Sequence, residues 1–179
     1  MMINMADKWV EVNIHLNNYT RANEAIADVV KNLVEKFKSG NLIKSWHFFR
    51  EPQIRLRFFG EEDKIEKVKQ MIDDCLKDLE SSKGDLYSCH VFGSHGIRGK
   101  EYTGEDDFWD NDWSLVMKLW EQTSEFVLAL ISGKPCIALD VHGERHVHLF
   151  LNQLGLAHTY VDTSKEKIIQ YRRQKKPDE

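Results

Sequence analysis

The stretch that decides how this chain folds is Trp46-His-Phe-Phe-Arg-Glu-Pro-Gln-Ile-Arg-Leu-Arg-Phe-Phe-Gly60. Two short apolar runs flank a turn that contains Pro52, and the second run alternates strictly. In a strand, successive side chains point to opposite faces. Ile54, Leu56 and Phe58 therefore share one face, and Arg55 and Arg57 share the other. Two readings of the arginines follow. They stand on an exposed strand and pair with Glu11 or other neighbours, or they grip an anion with two guanidiniums held on a rigid support.

Working outward, the totals are those of a globular protein. The 179 residues suffice for one domain with a proper core, and a hydrophobic fraction of 41% with 30% charged residues is ordinary. A net charge of -4 gives no footprint for binding DNA. The short basic run Arg172, Arg173, Lys175 and Lys176 reads as a solvated tail. No apolar run is long enough to span a membrane, and Met1 to Lys8 lacks a secretory signal pattern. Cys75, Cys89 and Cys136 are odd in number and lack metal-type spacing, so they read as buried thiols in a reducing, cytoplasmic setting.

Trp9 to Leu16 alternates Val10, Val12, Ile14 and Leu16 against Glu11, Asn13 and His15, which predicts a half-buried strand. Thr20 is the expected cap of a helix whose stripe runs from Ala22 to Phe37 and ends at Gly40. Strands are expected over about Ile43 to Phe49 and Ile54 to Gly60, then a helix from Glu61 to Leu79 and a strand from Leu86 to Phe92. Strand, helix, strand, strand, helix, strand is the ferredoxin-like plan. The expected class is α+β: one domain over 1–179, with a ferredoxin-like core at 1–92, a loop at 93–111 and a helical part at 112–179. The first and third strands of that plan lie side by side at the sheet's centre, both helices cover the apolar face, and Glu11, Asn13 and His15 share the other face with Arg55 and Arg57. C-terminal helices are expected to cover that second face: Trp113 to Ser132 with Asp112 as cap, Glu144 to Leu154, and Thr163 to Arg173.

Several patterns carry candidate chemistry beside a plainer reading. His142 and His146 are four apart, but the order His-Gly-Glu-Arg-His departs from the zinc-protease pattern and no third ligand is evident, so no metal is expected. His148 and Asn152 are also four apart and would share a helix face. A histidine near neutral pKa is the usual general base or acid, and a packed or surface histidine is the plainer reading. Trp109, Trp113 and Trp120 read as core, with an aromatic wall for a peptide as the other reading. The chain has no Gly-rich phosphate loop, nucleophile elbow or paired zinc cysteines, and no cofactor is expected.

Taken together, Trp46-His-Phe-Phe-Arg50, Pro52, Ile54-Arg-Leu-Arg-Phe58 and Gly60 resemble the opening signature of the thiopeptide-type bacteriocin biosynthesis domain family. That family holds the C-terminal elimination domain of lantibiotic dehydratases and the pyridine synthases of thiopeptide pathways. Late in the chain, His148-Leu-Phe-Leu-Asn-Gln-Leu-Gly155 is similar to the family's His-x-x-x-Asn-Arg-Leu-Gly segment, with Gln153 in place of the arginine.

The resemblance implies a tailoring enzyme of ribosomally made peptides, eliminating glutamate from glutamylated Ser or Thr or cyclising dehydroamino acids. It implies Arg55, Arg57 and His148 as catalytic residues. Glu11, Asn13, His15 and Asn152 would line the substrate site. Arg98 would stand in for a family arginine that Glu101-Tyr-Thr-Gly104 lacks. The implied partners are a precursor peptide and a glutamylating protein, with a homodimer also allowed. The alternatives are a non-catalytic subunit that presents a precursor peptide to a partner enzyme, and an unrelated small-molecule binder.

Overall fold

The computed structural model describes residues 7–50, 53–104 and 112–133, all of which fall in the unit Met1–Gly133. In chain order the elements are β1 (Asp7–Leu16), α1 (Ala22–Ala25), a π-helical turn (Ile26–Val30), α2 (Lys31–Ser39), β2 (Ser45–Phe49), β3 (Ile54–Glu61), α3 (Glu62–Ser82), β4 (Tyr87–Phe92) and α4 (Trp113–Ser132). The four strands form one antiparallel sheet in the order β2-β3-β1-β4, so β1 and β3 are its two inner strands.

Alternation gives the sheet two unlike faces. Val10, Val12, Ile14, Ile54, Leu56 and Phe58 are buried in a core shared with Ile26, Val30, Phe37, Ile65, Val68 and Ile72. Along α3 the buried Ile65, Val68, Ile72 and Leu76 recur every three or four residues, the helical condition for one apolar stripe. Each Å² of apolar area removed from water in this layer favours the folded state by about 25 cal/mol. His90 of β4 fixes the sheet to α3, with Nδ1 2.6 Å from Glu80 and Nε2 3.0 Å from Asp73.

Helix α4 lies along the outer strand β2. Phe48 donates its backbone N–H to Ser124 Oγ at 3.1 Å, and Ser45 donates its hydroxyl to Glu121 at 3.0 Å. An outer strand otherwise presents unpaired donors and acceptors to solvent, so these contacts close that edge. The start of α4 packs Trp113 and Met117 with Trp9, Phe59 and Tyr102, whereas Leu128 nearer its end joins the larger core. Cover over the second face thus comes, among the described residues, from the first half of α4 and from the loop that precedes it.

Local readings need two corrections. The first helical turn is capped by Asn18 rather than Thr20: Asn18 Oδ1 accepts from the backbone N–H of Thr20 at 3.0 Å. Asparagine's short carbonyl arm bonds backbone two residues on, and the chain exploits it before the helix proper. Cys89 is exposed rather than buried, because it stands opposite His15 on the second sheet face, away from the core that takes Tyr87 of the same strand; Cys75 on α3 is half-buried. Asp112 occupies the cap position of α4 without a side-chain capping bond. The expected helices at 144–154 and 163–173, together with Trp109, Cys136, His142, His146, His148 and Asn152, lie outside the described residues.

Candidate functional site

Strand register sets the second face in rows. Trp9 stands opposite Phe59, and Phe59 opposite Ser45. In the next row Glu11 is opposite Arg57, and Arg57 opposite His47. In the third, Asn13 is opposite Arg55, which in turn faces Phe49. Directly opposed residues in antiparallel strands share a face and touch, so a line of charge crosses the middle of an aromatic surface.

At the centre Arg57 donates from Nε to Glu11 Oε2 at 2.7 Å. Arg57 is 1% exposed and Glu11 2%. Glu11 Oε1 accepts from the backbone N–H of His95 at 2.6 Å and from Asn13 Nδ2 at 3.1 Å. Asn13 Nδ2 also donates to Gly93 O at 2.8 Å, and its Oδ1 accepts from Gln53 at 3.2 Å. The carboxylate therefore meets a guanidinium, an amide and a backbone N–H at once. Only such saturation makes a buried ion pair tolerable, because taking both charges out of water costs several kcal/mol each. Above the guanidinium lies Tyr102, its ring centroid 4.0 Å from Arg57 Cζ, with Phe49 at 5.1 Å. Such stacking strengthens once water is excluded.

His47 completes the row. Arg57 donates an N–H toward His47 Nε2 at 3.4 Å, and since a guanidinium accepts nothing, Nε2 is the acceptor and the ring proton sits on Nδ1. Trp120 and Trp9 lie against the ring at centroid distances of 4.9 and 5.5 Å. Burial, with the positive charge of Arg57 behind it, pushes the imidazole's pKa down to about 3. His47 is neutral at ordinary pH.

Arg55 is only partly buried and donates to His95 Nδ1 at 3.0 Å, at the mouth of the cluster. The structure thus brings together Arg55, Arg57, Glu11 and Asn13. His15, opposite Cys89 toward the end of β1, makes no hydrogen bond to this network among the described residues, and Arg98 is exposed on the loop, also without a bond to it. His47, His95, Trp9 and Tyr102 are additional members. His47 was legible by the same alternation that places the arginines, two residues before Phe49. His95 sits on a loop without period and carried no signal, and Tyr102, on the same loop, showed only through the likeness of Glu101-Tyr-Thr-Gly104 to a family segment. No group of three or more His, Cys, Asp or Glu side chains among the described residues is arranged to hold a metal ion.

The fold and site define a mixed α/β domain with an antiparallel sheet and a buried arginine–carboxylate pair beneath aromatic cover. Residues 9–178 match the family described as lantibiotic biosynthesis dehydratase C-term, and the chain belongs to that family. Its fold is similar to part of the tRNA-dependent lantibiotic dehydratase MibB from Microbispora sp. 107891, with a TM-score of 0.55 at 16% identity. That match covers 73% of this chain and 12% of MibB, so the likeness concerns a small part of the larger protein. No protein of curated function matches the chain.

Proposed function

We propose that the chain tailors a ribosomally made peptide of the lantibiotic or thiopeptide type, on a ferredoxin-like core, by eliminating glutamate from a glutamylated Ser or Thr. A base takes the α-proton, the Cβ–O bond breaks, and glutamate leaves as its carboxylate with a dehydroamino acid behind. Negative charge gathers on the peptide carbonyl and on the departing carboxylate. Guanidiniums already oriented toward such charge lower the barrier, since nothing need reorganise during the step. Arg55, the accessible one of the two, takes that role at the substrate, Arg57 adds its positive charge from beneath Tyr102, Glu11 and Asn13 hold Arg57 and the floor of the site, and His148 is the acid–base group carried over from the family signature. His15, Arg98 and Asn152 complete the proposed lining. Joining two dehydroamino acids is the other reaction open to the same residues.

The observation that carries this reading is the fixed Arg57–Glu11 pair with the more accessible Arg55 one strand pleat away. Separate alanine substitutions at Arg55, Arg57 and His148 test it, with product mass and circular dichroism followed together. The expected result is lost product with unchanged secondary structure at Arg55 and His148; unaltered turnover in both would overturn the reading. A second reading, a peptide-presenting subunit without chemistry, draws on one fact: Glu11 already offsets the charge of Arg57. Retention of the peptide at unchanged mass would favour it.

A further inference from the structure

Strand β1 is ten residues long, yet β4 pairs only with its second half, Val12 to Leu16. The cause is local. Gly93 still donates its N–H to Glu11 O at 3.1 Å, and then turns at φ 141°, a conformation that favours glycine. A Cβ at Gly93 would stand 2.0 Å from Ile97 O. The chain therefore leaves the sheet at this residue and returns over the second face as Lys100 to Tyr102.

The departure leaves an open stub of edge beside Lys8–Glu11. The Glu11 carbonyl points to the β4 side, and backbone groups repeat direction every second residue. The N–H and C=O of Trp9 therefore point the same way, and among the described residues neither has a backbone partner on that side. A cleft of about 250 Å³ lies there, between this edge, Ile65 and Lys69 of α3, Phe92, and the returning Gly99–Tyr102 segment. Glu11, the residue that holds Arg57, also lines it.

We propose that this cleft binds an extended peptide segment with an acidic side chain, added as a short strand to the free edge of β1. Its main chain exchanges two hydrogen bonds with Trp9, about 4.8 Å away, the ordinary spacing between strands. Its alternate side chains meet the apolar Ile65 and Phe92 on one side and Tyr102 on the other. Charge selects the occupant. Lys8 is already committed to Glu62, Glu66 and Glu101, whereas Lys69 and Lys100, both lining the cleft, have no carboxylate partner among the described residues. An acidic side chain on the incoming strand supplies one. The inference rests on the peptide-tailoring reading only for which peptide is bound; the edge and its lysines stand independently. A segment seated here reaches the arginine cluster past Glu11, so the edge would fix the direction in which a peptide is fed to that site.

The test uses the full chain labelled with nitrogen-15 and the blocked peptide acetyl-Thr-Val-Glu-Val-Thr-amide. Amide exchange is read at Trp9 and at Ser88, with and without peptide. At saturation the Trp9 amide should slow at least ~10-fold while Ser88 is unchanged, as a newly closed local hydrogen bond requires. The same peptide with its central amides N-methylated should give no protection, and Lys69→Glu with Lys100→Glu should weaken binding several-fold without changing the free protein's spectrum elsewhere. Equal protection by the N-methylated peptide, protection at Ser88 in place of Trp9, or protection that rises with protein concentration alone (a second copy as occupant) would each overturn the proposal. Elimination activity with an unprotected Trp9 would sink this inference and leave the functional reading intact; protection at Trp9 without any turnover would do the reverse.

Discussion

Arg57 and Glu11, opposed on the two inner strands, are joined at 2.7 Å with both side chains essentially shut off from water. The pair is the hub of the second face. Asn13 and the backbone N–H of His95 each donate to its carboxylate, and Tyr102 lies over its guanidinium.

Breaking this pair from one side should be costly. Glu11→Ala removes the carboxylate that accepts from Arg57 Nε in a site shut off from water, which destabilises by about 3–5 kcal/mol. Replacing both residues by apolar ones of similar volume should cost much less than the two single changes added together. Urea unfolding of the two single variants and the double variant checks this; additive losses would contradict the assigned coupling.

Acid stability should turn on His47. Its folded pKa, about 3, lies below the ordinary value of 6.5, so the unfolded chain binds the proton more readily. The stability it contributes is complete above pH 6.5 and drains away as pH falls toward 3, at a slope of at most about 1.4 kcal/mol per pH unit. His47→Phe should flatten that part of the profile, measured as urea midpoints between those limits. An unaltered slope would place the acid sensitivity elsewhere.

The closure of β2 by α4 is testable through Ser124. Ser124→Ala removes the acceptor of the Phe48 N–H in a buried setting, and an unpaired buried donor costs about 1–3 kcal/mol. A lower melting temperature and a greater tendency to associate through the freed edge are expected, read by calorimetry and light scattering. A Ser124→Thr variant, which keeps the hydroxyl, should recover most of the loss.

Tyr102 should report on the guanidinium directly. Tyr102→Leu keeps the apolar cover but removes the ring face at 4.0 Å from Arg57, with an expected loss of about 1–2 kcal/mol. Because the buried Glu11 pair remains, the fold should persist in near-ultraviolet dichroism.

Much of this was readable from the residues. Strict alternation from Ile54 to Phe58 and from Val10 to Leu16 fixed which side chains share a face, and the helical stripe of α3 was plain from Ile65 onward. Alternation does not supply register, which depends on turns and on neighbouring strands; hence Arg57 opposite Glu11 rather than Asn13 came only with the structure. Nor did it warn that Arg57 would be sealed in, because burial of that face depends on Tyr102 and Trp113, one in an aperiodic loop and the other on a helix far along the chain. Cys89 was misjudged for a related reason: composition says a thiol is usually buried, but its place opposite His15 on the second face decides.

The central claim is that the arginine cluster acts on a glutamylated peptide. Its most direct measurement is mass spectrometry of a synthetic peptide bearing a glutamyl ester on serine, incubated with the full chain and with its Arg55→Ala variant. The account predicts loss of one glutamate to give dehydroalanine with the unaltered chain, and at least a ~100-fold slower loss with the variant, the scale on which removing one charge-stabilising donor acts. Equal rates for the two proteins, both no faster than the peptide alone, would contradict it.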